Sequence, residues 1–162
     1  IVHLEMPIAT EEQMEHAAIR EKETKRRKSS LKGLRILAVE DNDVNREIIL
    51  RLLRARDAVV ETAGNGLEAV QQYLKRPAYY YDAILMDVQM PCMNGIEATR
   101  EIRHTDRPDA ETIPIIAMTA NAFQDDKEAT KEAGMNAHLS KPINIGQIVT
   151  VVCREVSKNK KE

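Results

Sequence analysis

The fold this sequence predicts is a doubly wound α/β domain: a five-stranded parallel sheet with helices on both faces. Three observations predict it. Short, mainly apolar runs such as RILAV (35–39) and IPIIAMT (113–119) suit strands buried on both faces. Segments with apolar residues at helical spacing lie between them. The two kinds of segment alternate five times, which is the pattern of a parallel sheet joined by right-handed crossovers.

The elements follow in order. RILAV is the first strand, and Asp43 is placed to cap a helix whose face is Val44, Ile48 and Leu52, widened by Ile49 and Leu53. AVVETA (58–63) is the second strand. GNG then turns the chain into a helix carrying Leu67, Val70 and Leu74. DAILMD (82–87) is the third strand, and Asn94 starts a helix with Ile96, Thr99 and Ile102 inward. IPIIAMT is the fourth strand. The helix after it, ANAFQDDKEATKEA, ends at Gly134, a residue suited to the left-handed turn past a helix end. NAHLS (136–140) is the short fifth strand. The last helix follows Lys141-Pro142, with Ile145, Ile148, Val149, Val152 and Val156 on one face.

Ahead of this block, EEQMEHAAIREKETKRRKSS (11–30) has no Gly or Pro and is dense in charge, which suits an exposed helix or a solvated linker. The sequence has no initiator Met, and its first ten residues alternate Val2, Leu4 and Met6 as a strand end would. The chain is therefore expected to be a fragment of something longer.

Composition narrows the function classes. The 162 residues carry a formal charge of −2, against the basic balance of a nucleic-acid binder, and only five aromatic residues to stack on bases. No apolar run approaches the roughly 18 residues of a membrane span, so no membrane contact is expected of this fragment. Cys92 and Cys153 lack metal-ligand spacing and read as free thiols of a reducing cytoplasm. Neither a GxGxxG nor a P-loop is present.

In a doubly wound sheet, ligands bind at the carboxyl ends of the strands, near the point where strand order reverses. Glu40 and Asp41 follow the first strand, Asp87 ends the third, Thr119 ends the fourth, and Lys141 follows the fifth. Singly, these are a loop acid pair, a turn acid, a helix cap and a loop lysine. Together, three carboxylates, a hydroxyl and an ammonium fall on one edge of one sheet. Such carboxylates repel unless a cation neutralises them, and oxygen ligands suit a hard divalent ion, Mg2+ first. With the ion and Lys141 nearby, Asp87 would stay ionised as a nucleophile towards phosphorus. The Thr119 hydroxyl and Lys141 would steady the transferring group.

The stretches RILAVEDNDVNREII, ILMDVQMPCMNGIEATREIR, PIIAMTANAF and AGMNAHLSKPINI resemble the receiver domain of two-component signalling, of the type attached to hybrid sensor histidine kinases. The resemblance spans about residues 34–156, and it implies the flavodoxin-like strand order 2-1-3-4-5. It makes Asp87 the phosphoacceptor and Asp41 a direct metal ligand. Glu40 would hold the ion (Mg2+ or Mn2+) through water, and the Gln89 carbonyl would complete the protein ligands. Thr119 and Lys141 would contact the phosphoryl oxygens, with the Lys141-Pro142 bond cis and aiming the lysine. The implied donor is phosphohistidine of a sensor kinase or a histidine phosphotransfer protein. Phosphorylation would shift the domain's fourth and fifth helices and the strand between them. The resemblance also implies self-phosphorylation and a weak autophosphatase activity, with Gln89 and Asn121 flanking the water's path. It implies a cytoplasmic domain, free to belong to a membrane-anchored whole, and leaves oligomeric state unspecified.

One position departs from the family. Three residues before the lysine the family commonly carries Tyr or Phe, a rotamer switch coupled to the threonine; here it is His138. An imidazole can swing inward, or it can stay as a half-exposed strand residue. Residues 1–9 also resemble, over a short stretch, the final strand of a histidine kinase ATP-binding domain. The expected organisation is that strand, a charged linker or helix at 10–32, a receiver at 33–157 and a charged tail at 158–162. His16 in the linker reads as solvent-facing, since nothing around it resembles a phosphotransfer bundle.

Two other functions were weighed. A haloacid dehalogenase-like phosphohydrolase also places a nucleophilic Asp at a strand end, but needs a second Asp two residues on, where this chain has Gln89. A pseudo-receiver, binding proteins without phosphorylation, would have no reason to keep all of Glu40, Asp41, Asp87, Thr119 and Lys141.

Overall fold

The structure is a computed structural model that describes residues 11–28, 30–120 and 124–160. The strand expected at residues 1–9 and the flanking Asn121 lie outside them. Two compact units divide the chain after Ser30. In the first, α1 (Glu11–Lys28) is one helix through the charge-dense segment, and its residues 11–20, His16 among them, are exposed.

The second unit contains β1 (Arg35–Val39), α2 (Asp43–Arg54), β2 (Val59–Ala63), α3 (Gly66–Lys75), β3 (Ala83–Asp87) and α4 (Gly95–Arg103). It continues with β4 (Ile115–Thr119), α5 (Gln124–Ala133), β5 (Ala137–Ser140) and α6 (Ile145–Lys160). The strands form one parallel sheet in the order β2-β1-β3-β4-β5, as expected. Because β1 lies between β2 and β3, the winding reverses at the β1/β3 boundary. The carboxyl ends of those two strands, paired Val39 to Met86, therefore flank the crevice where such sheets bind ligands.

Strand alternation divides the core into two layers. Ile36, Ala38 and Leu85 face one side, with Ile49 and Leu53 of α2 and Ile148, Val149 and Val152 of α6. Leu37, Ile84 and Met86 face the other, with Ala69 and Tyr73 of α3 and Ala98 and Ile102 of α4. Tyr73 can lie in the core because its hydroxyl donates to buried Asp109 at 2.8 Å, so no polar group is left unpaired.

Two helix faces differ from expectation. Of the expected α2 face, Ile49 and Leu53 are buried and Leu52 is half-buried, whereas Val44 and Ile48 are 67% and 49% exposed. On α3, Leu67 and Leu74 are exposed, while Ala69 and Tyr73 face the sheet. Of the predicted inward residues of α4 and α6, Thr99, Ile102, Ile148, Val149, Val152 and Val156 are buried, and Ile96 and Ile145 are half-buried. The α2 cap is also shifted by one residue. Asn42, not Asp43, accepts the Asn45 N–H at 3.0 Å, leaving Asp43 in the first turn, where its charge suits the helix dipole. Asn94 caps α4 within a reciprocal capping box with Glu97. Gly134 follows α5 with φ +105°, the left-handed geometry expected of it.

Candidate functional site

Four neighbouring strands deliver the site. The loop after β1 carries Glu40 and Asp41, Asp87 is the last residue of β3, Thr119 the last of β4, and Lys141 follows β5. Main-chain bonds hold these ends together: Glu40 N–H donates to Ala63 O, Val88 N–H to Met118 O at 3.1 Å, and Lys141 N–H to Thr119 O at 2.8 Å. Burial is high for groups so polar, with Glu40 1%, Asp87 3% and Thr119 7% exposed, whereas Asp41 is open to solvent.

The side chains converge. Lys141 Nζ stands 3.0 Å from Asp87 Oδ2 and 3.0 Å from Glu40 Oε2. Gln89 meets the site through its N–H, which donates to Asp87 Oδ1 at 3.3 Å, and the Asn42 N–H donates to Glu40 Oε1 at 3.2 Å. Glu40, Asp41 and Asp87 each offer a carboxylate oxygen within 4.8 Å of the others. The Lys141-Pro142 bond is cis, as expected.

Electrostatics match this crowding. Burial, opposed by the Lys141 hydrogen bond and reinforced by the Glu40 charge, pushes the Asp87 carboxyl up to about 6. Burial would lower Lys141, but hydrogen bonds and charge from Glu40 and Asp87 outweigh it and raise the ammonium above its ordinary value. The ammonium does not satisfy every oxygen. Its contact with Glu40 Oε2 at 3.0 Å is an ion pair, and Oε2 is the one buried side-chain polar atom with no further hydrogen-bond partner among the described residues. A buried carboxylate oxygen held only by an ion pair, beside two further carboxylates, is a donor set for a hard divalent cation.

His138 sits elsewhere. Its half-buried imidazole Nε2 is hydrogen-bonded to the hydroxyl of Thr130, a fully buried residue of α5 that also donates to Lys127 O at 3.0 Å. Burial first, and the nearby Lys127 charge second, lower its pKa.

Three positions shape the site without having stood out in the sequence. Gly95 opens α4 against the Asp87 main chain, and a Cβ there would fall 2.1 Å from the Asp87 carbonyl oxygen. Arg46 donates from Nη1 to the Glu40 carbonyl at 2.9 Å. Asn42 both caps α2 and binds Glu40. The glycine's place in MNGIEA, a residue poor in helix propensity starting a helix, was the one signal available for the first.

The family model for the response regulator receiver domain matches residues 36–153. The chain is 37% identical over 132 residues to a hybrid signal transduction histidine kinase of Dictyostelium discoideum, covering 78% of this chain and 8% of that protein. It is 32% identical over 131 residues to a peroxide stress-activated histidine kinase of Schizosaccharomyces pombe, covering 80% and 8%. This chain thus spans under a tenth of both relatives. Among solved structures, the receiver domain of a sensor histidine kinase from Pseudomonas aeruginosa, with a magnesium ion coordinated in its active site cleft, is 40% identical. That match has TM-score 0.69 and covers 77% of this chain and 98% of that one. The receiver of a Saccharomyces cerevisiae response regulator, co-crystallised with a histidine phosphotransfer protein, is 29% identical. Its TM-score is 0.68, and it covers 78% of this chain and 91% of that one. Among the described residues, no helix is long and apolar enough to cross a membrane.

Proposed function

The chain belongs to the response regulator receiver family of two-component phosphorelays, and from that premise we propose that Asp87 is its phosphoacceptor. The observation that carries the assignment is the Lys141 ammonium held 3.0 Å from both Asp87 and Glu40, with Asp41 completing a cluster of three acids. In the proposed step, an Asp87 carboxylate oxygen attacks the phosphorus of a phosphohistidine. The O–P bond forms as the P–N bond breaks, and the departing imidazole nitrogen keeps the electron pair and takes up a proton.

Glu40, Asp41, Asp87 and the Gln89 carbonyl would hold Mg2+ or Mn2+, and the bound ion would neutralise charge gathering on the phosphoryl oxygens. Glu40 Oε2, which has Lys141 as its one charged neighbour, and the all-oxygen donor set support that fit. Lys141 would exchange its carboxylate contacts for a phosphoryl oxygen, and Thr119, at the adjacent strand end, would donate its hydroxyl to another. Burial of Asp87 keeps water from competing at the reacting oxygen. Gln89, beside Asp87, would influence how fast water later removes the phosphoryl group.

A phosphorylation-independent pseudo-receiver is not favoured, because it gives no reason for the five polar side chains to meet at one sheet edge. The conformational output would be a population shift of α5, β5 and α6, with His138 reporting it through its bond to Thr130. Val44 and Ile48 lie exposed on α2, and Ile48 lines a cavity of about 290 Å³ together with Glu40, Lys141 and Ile143. They would offer an apolar surface on the Glu40 and Lys141 side of the site to a phosphotransfer partner's helices. The whole protein would be a hybrid histidine kinase, possessing this receiver in the cytoplasm.

Incubation with phosphoramidate or acetyl phosphate and Mg2+, followed by intact-mass measurement, tests the reading. Wild type should gain one base-labile phosphoryl group, and beryllofluoride should block it. Uptake by Asp87→Ala, or none by wild type, would overturn the assignment.

A further inference from the structure

The acid-bearing loop between β1 and α2 is short, and one side chain outside the proposed ligand set brackets it. Arg46, in the first turns of α2, reaches back so that Nη1 donates to the Glu40 carbonyl at 2.9 Å while Nη2 pairs with the Asp43 carboxylate. One planar guanidinium therefore holds the residues on either side of Asp41 and Asn42. The group is half-buried against Gly64, where a Cβ would stand 3.5 Å from Nη1. Asp41 is the exposed member of the acid cluster, and among the described contacts its own side chain makes none. Its direction is set by the main chain on which it sits. The Glu40–Asp41 peptide has its carbonyl fixed by Arg46, while the preceding N–H is fixed by Ala63 O at 3.1 Å.

We propose that Arg46 is a positioning residue for the divalent-ion site, orienting Asp41 and Glu40 by clamping the Glu40 carbonyl to Asp43. The inference rests on the metal-binding reading above. It makes a prediction opposite in sign to simple electrostatics. A positive charge near a cation site weakens binding through space, so its removal alone would tighten the ion. If positioning dominates, removal loosens the ion instead, as loss of groups that orient metal ligands commonly does, by about tenfold or more. Lysine cannot substitute, because a single ammonium lacks the two-pronged fork that spans both anchors.

The test is Mg2+ titration calorimetry on wild type, Arg46→Gln, Arg46→Lys and Asp43→Asn. Metal-free thermal melts accompany it, with phosphoramidate labelling at varied Mg2+. Both Arg46 variants should bind Mg2+ about tenfold more weakly. The Mg2+ needed for half-maximal labelling should rise equally, with the rate at saturating Mg2+ retained, a split that a distorted site would not give. Asp43→Asn, which takes the charge from the exposed anchor but leaves an oxygen to accept from Arg46, should move in the same direction by less and keeps the test open if an Arg46 variant fails to fold. Equal or tighter binding by Arg46→Gln, or full rescue by Arg46→Lys, would overturn the proposal. A wild type that binds no Mg2+ would instead overturn the metal reading on which it rests.

Discussion

Gly95 and Asp87 touch through their main chains: a Cβ on Gly95 would fall 2.1 Å from the Asp87 carbonyl oxygen, and the Gly95 N–H donates to Val88 O at 2.9 Å. Residue 95 carries no chemistry, yet α4 can start this close to the end of β3 only without a side chain. Gly95→Ala should therefore force the strand end or the helix to move. We expect a loss of about 1–3 kcal/mol in urea unfolding, the usual range for overpacking. Phosphoramidate labelling of Asp87 should also slow markedly. A fully active, equally stable Gly95→Ala would refute this packing account.

Lys141 neutralises two buried acids. Lys141→Ala should destabilise the metal-free protein by about 1–3 kcal/mol, since it leaves two buried carboxylates without their counter-charge. Added Mg2+ should recover more stability in the variant than in wild type, because the ion replaces the missing positive charge. Thermal melts with and without Mg2+ measure the difference, and an equal gain in both proteins would contradict it.

The raised Asp87 pKa gives a pH dependence with a definite sign. Its folded value of about 6 lies above the ordinary 3.8, so the folded state holds the proton more tightly than the unfolded chain. The stabilisation is fully present below pH 3.8 and is lost as pH rises through about 6. Metal-free melts should show that decline, and Asp87→Asn should flatten it. Mg2+ affinity should run the other way, weakening as pH falls through the same region because the proton competes for the carboxylate. A pH-independent Mg2+ affinity between pH values of about 5 and 7.5 would speak against Asp87 as a ligand.

The bond between His138 and Thr130 ties β5 to α5. Thr130→Val keeps the shape of a fully buried residue while deleting the hydroxyl. It should cost about 1 kcal/mol. In a double-mutant cycle with His138→Ala, a coupling energy of about 1 kcal/mol should appear in the resting protein. If His138 participates in switching, that coupling should shrink when beryllofluoride is bound; an unchanged coupling would mean that the histidine does not move.

Val44→Asp and Ile48→Asp should change stability by no more than about 0.5 kcal/mol, because both side chains are exposed. The same substitutions should slow phosphotransfer from a histidine phosphotransfer protein while leaving phosphoramidate labelling unaffected. Slowing of both reactions would mean that the residues matter to the site itself, not to docking.

The sheet was legible in the sequence because its central strands, β1, β3 and β4, are buried along nearly their whole length and leave apolar runs such as RILAV and IPIIAMT, whereas the edge strands β2 and β5 carry Glu61 and His138. The polar residues of the site were legible for the related reason that each stands where such a run stops. Helix faces were harder. In α2, apolar residues stand at 44, 48, 49, 50, 52 and 53, so two overlapping stripes satisfy helical spacing. Only the geometry against β1 selects Ile49 and Leu53 over Val44 and Ile48. In α3, the compact Ala69 and the hydrogen-bonded Tyr73 take the inward places that leucine's hydrophobicity suggested for Leu67 and Leu74. The role of Arg46 had no sequence signal, because its decisive contact is with a carbonyl oxygen that every residue possesses.

The central claim is a location: the phosphoryl group passes from phosphohistidine to Asp87. Transfer from a phosphorylated histidine phosphotransfer protein in Mg2+, followed by borohydride reduction and peptide mass mapping, reads that location directly, since reduction turns an aspartyl phosphate into homoserine. Homoserine at position 87 alone, absent when the metal is chelated, is the predicted result. Homoserine at Asp41 or any other carboxylate, or transfer that persists in Asp87→Ala, would contradict the account.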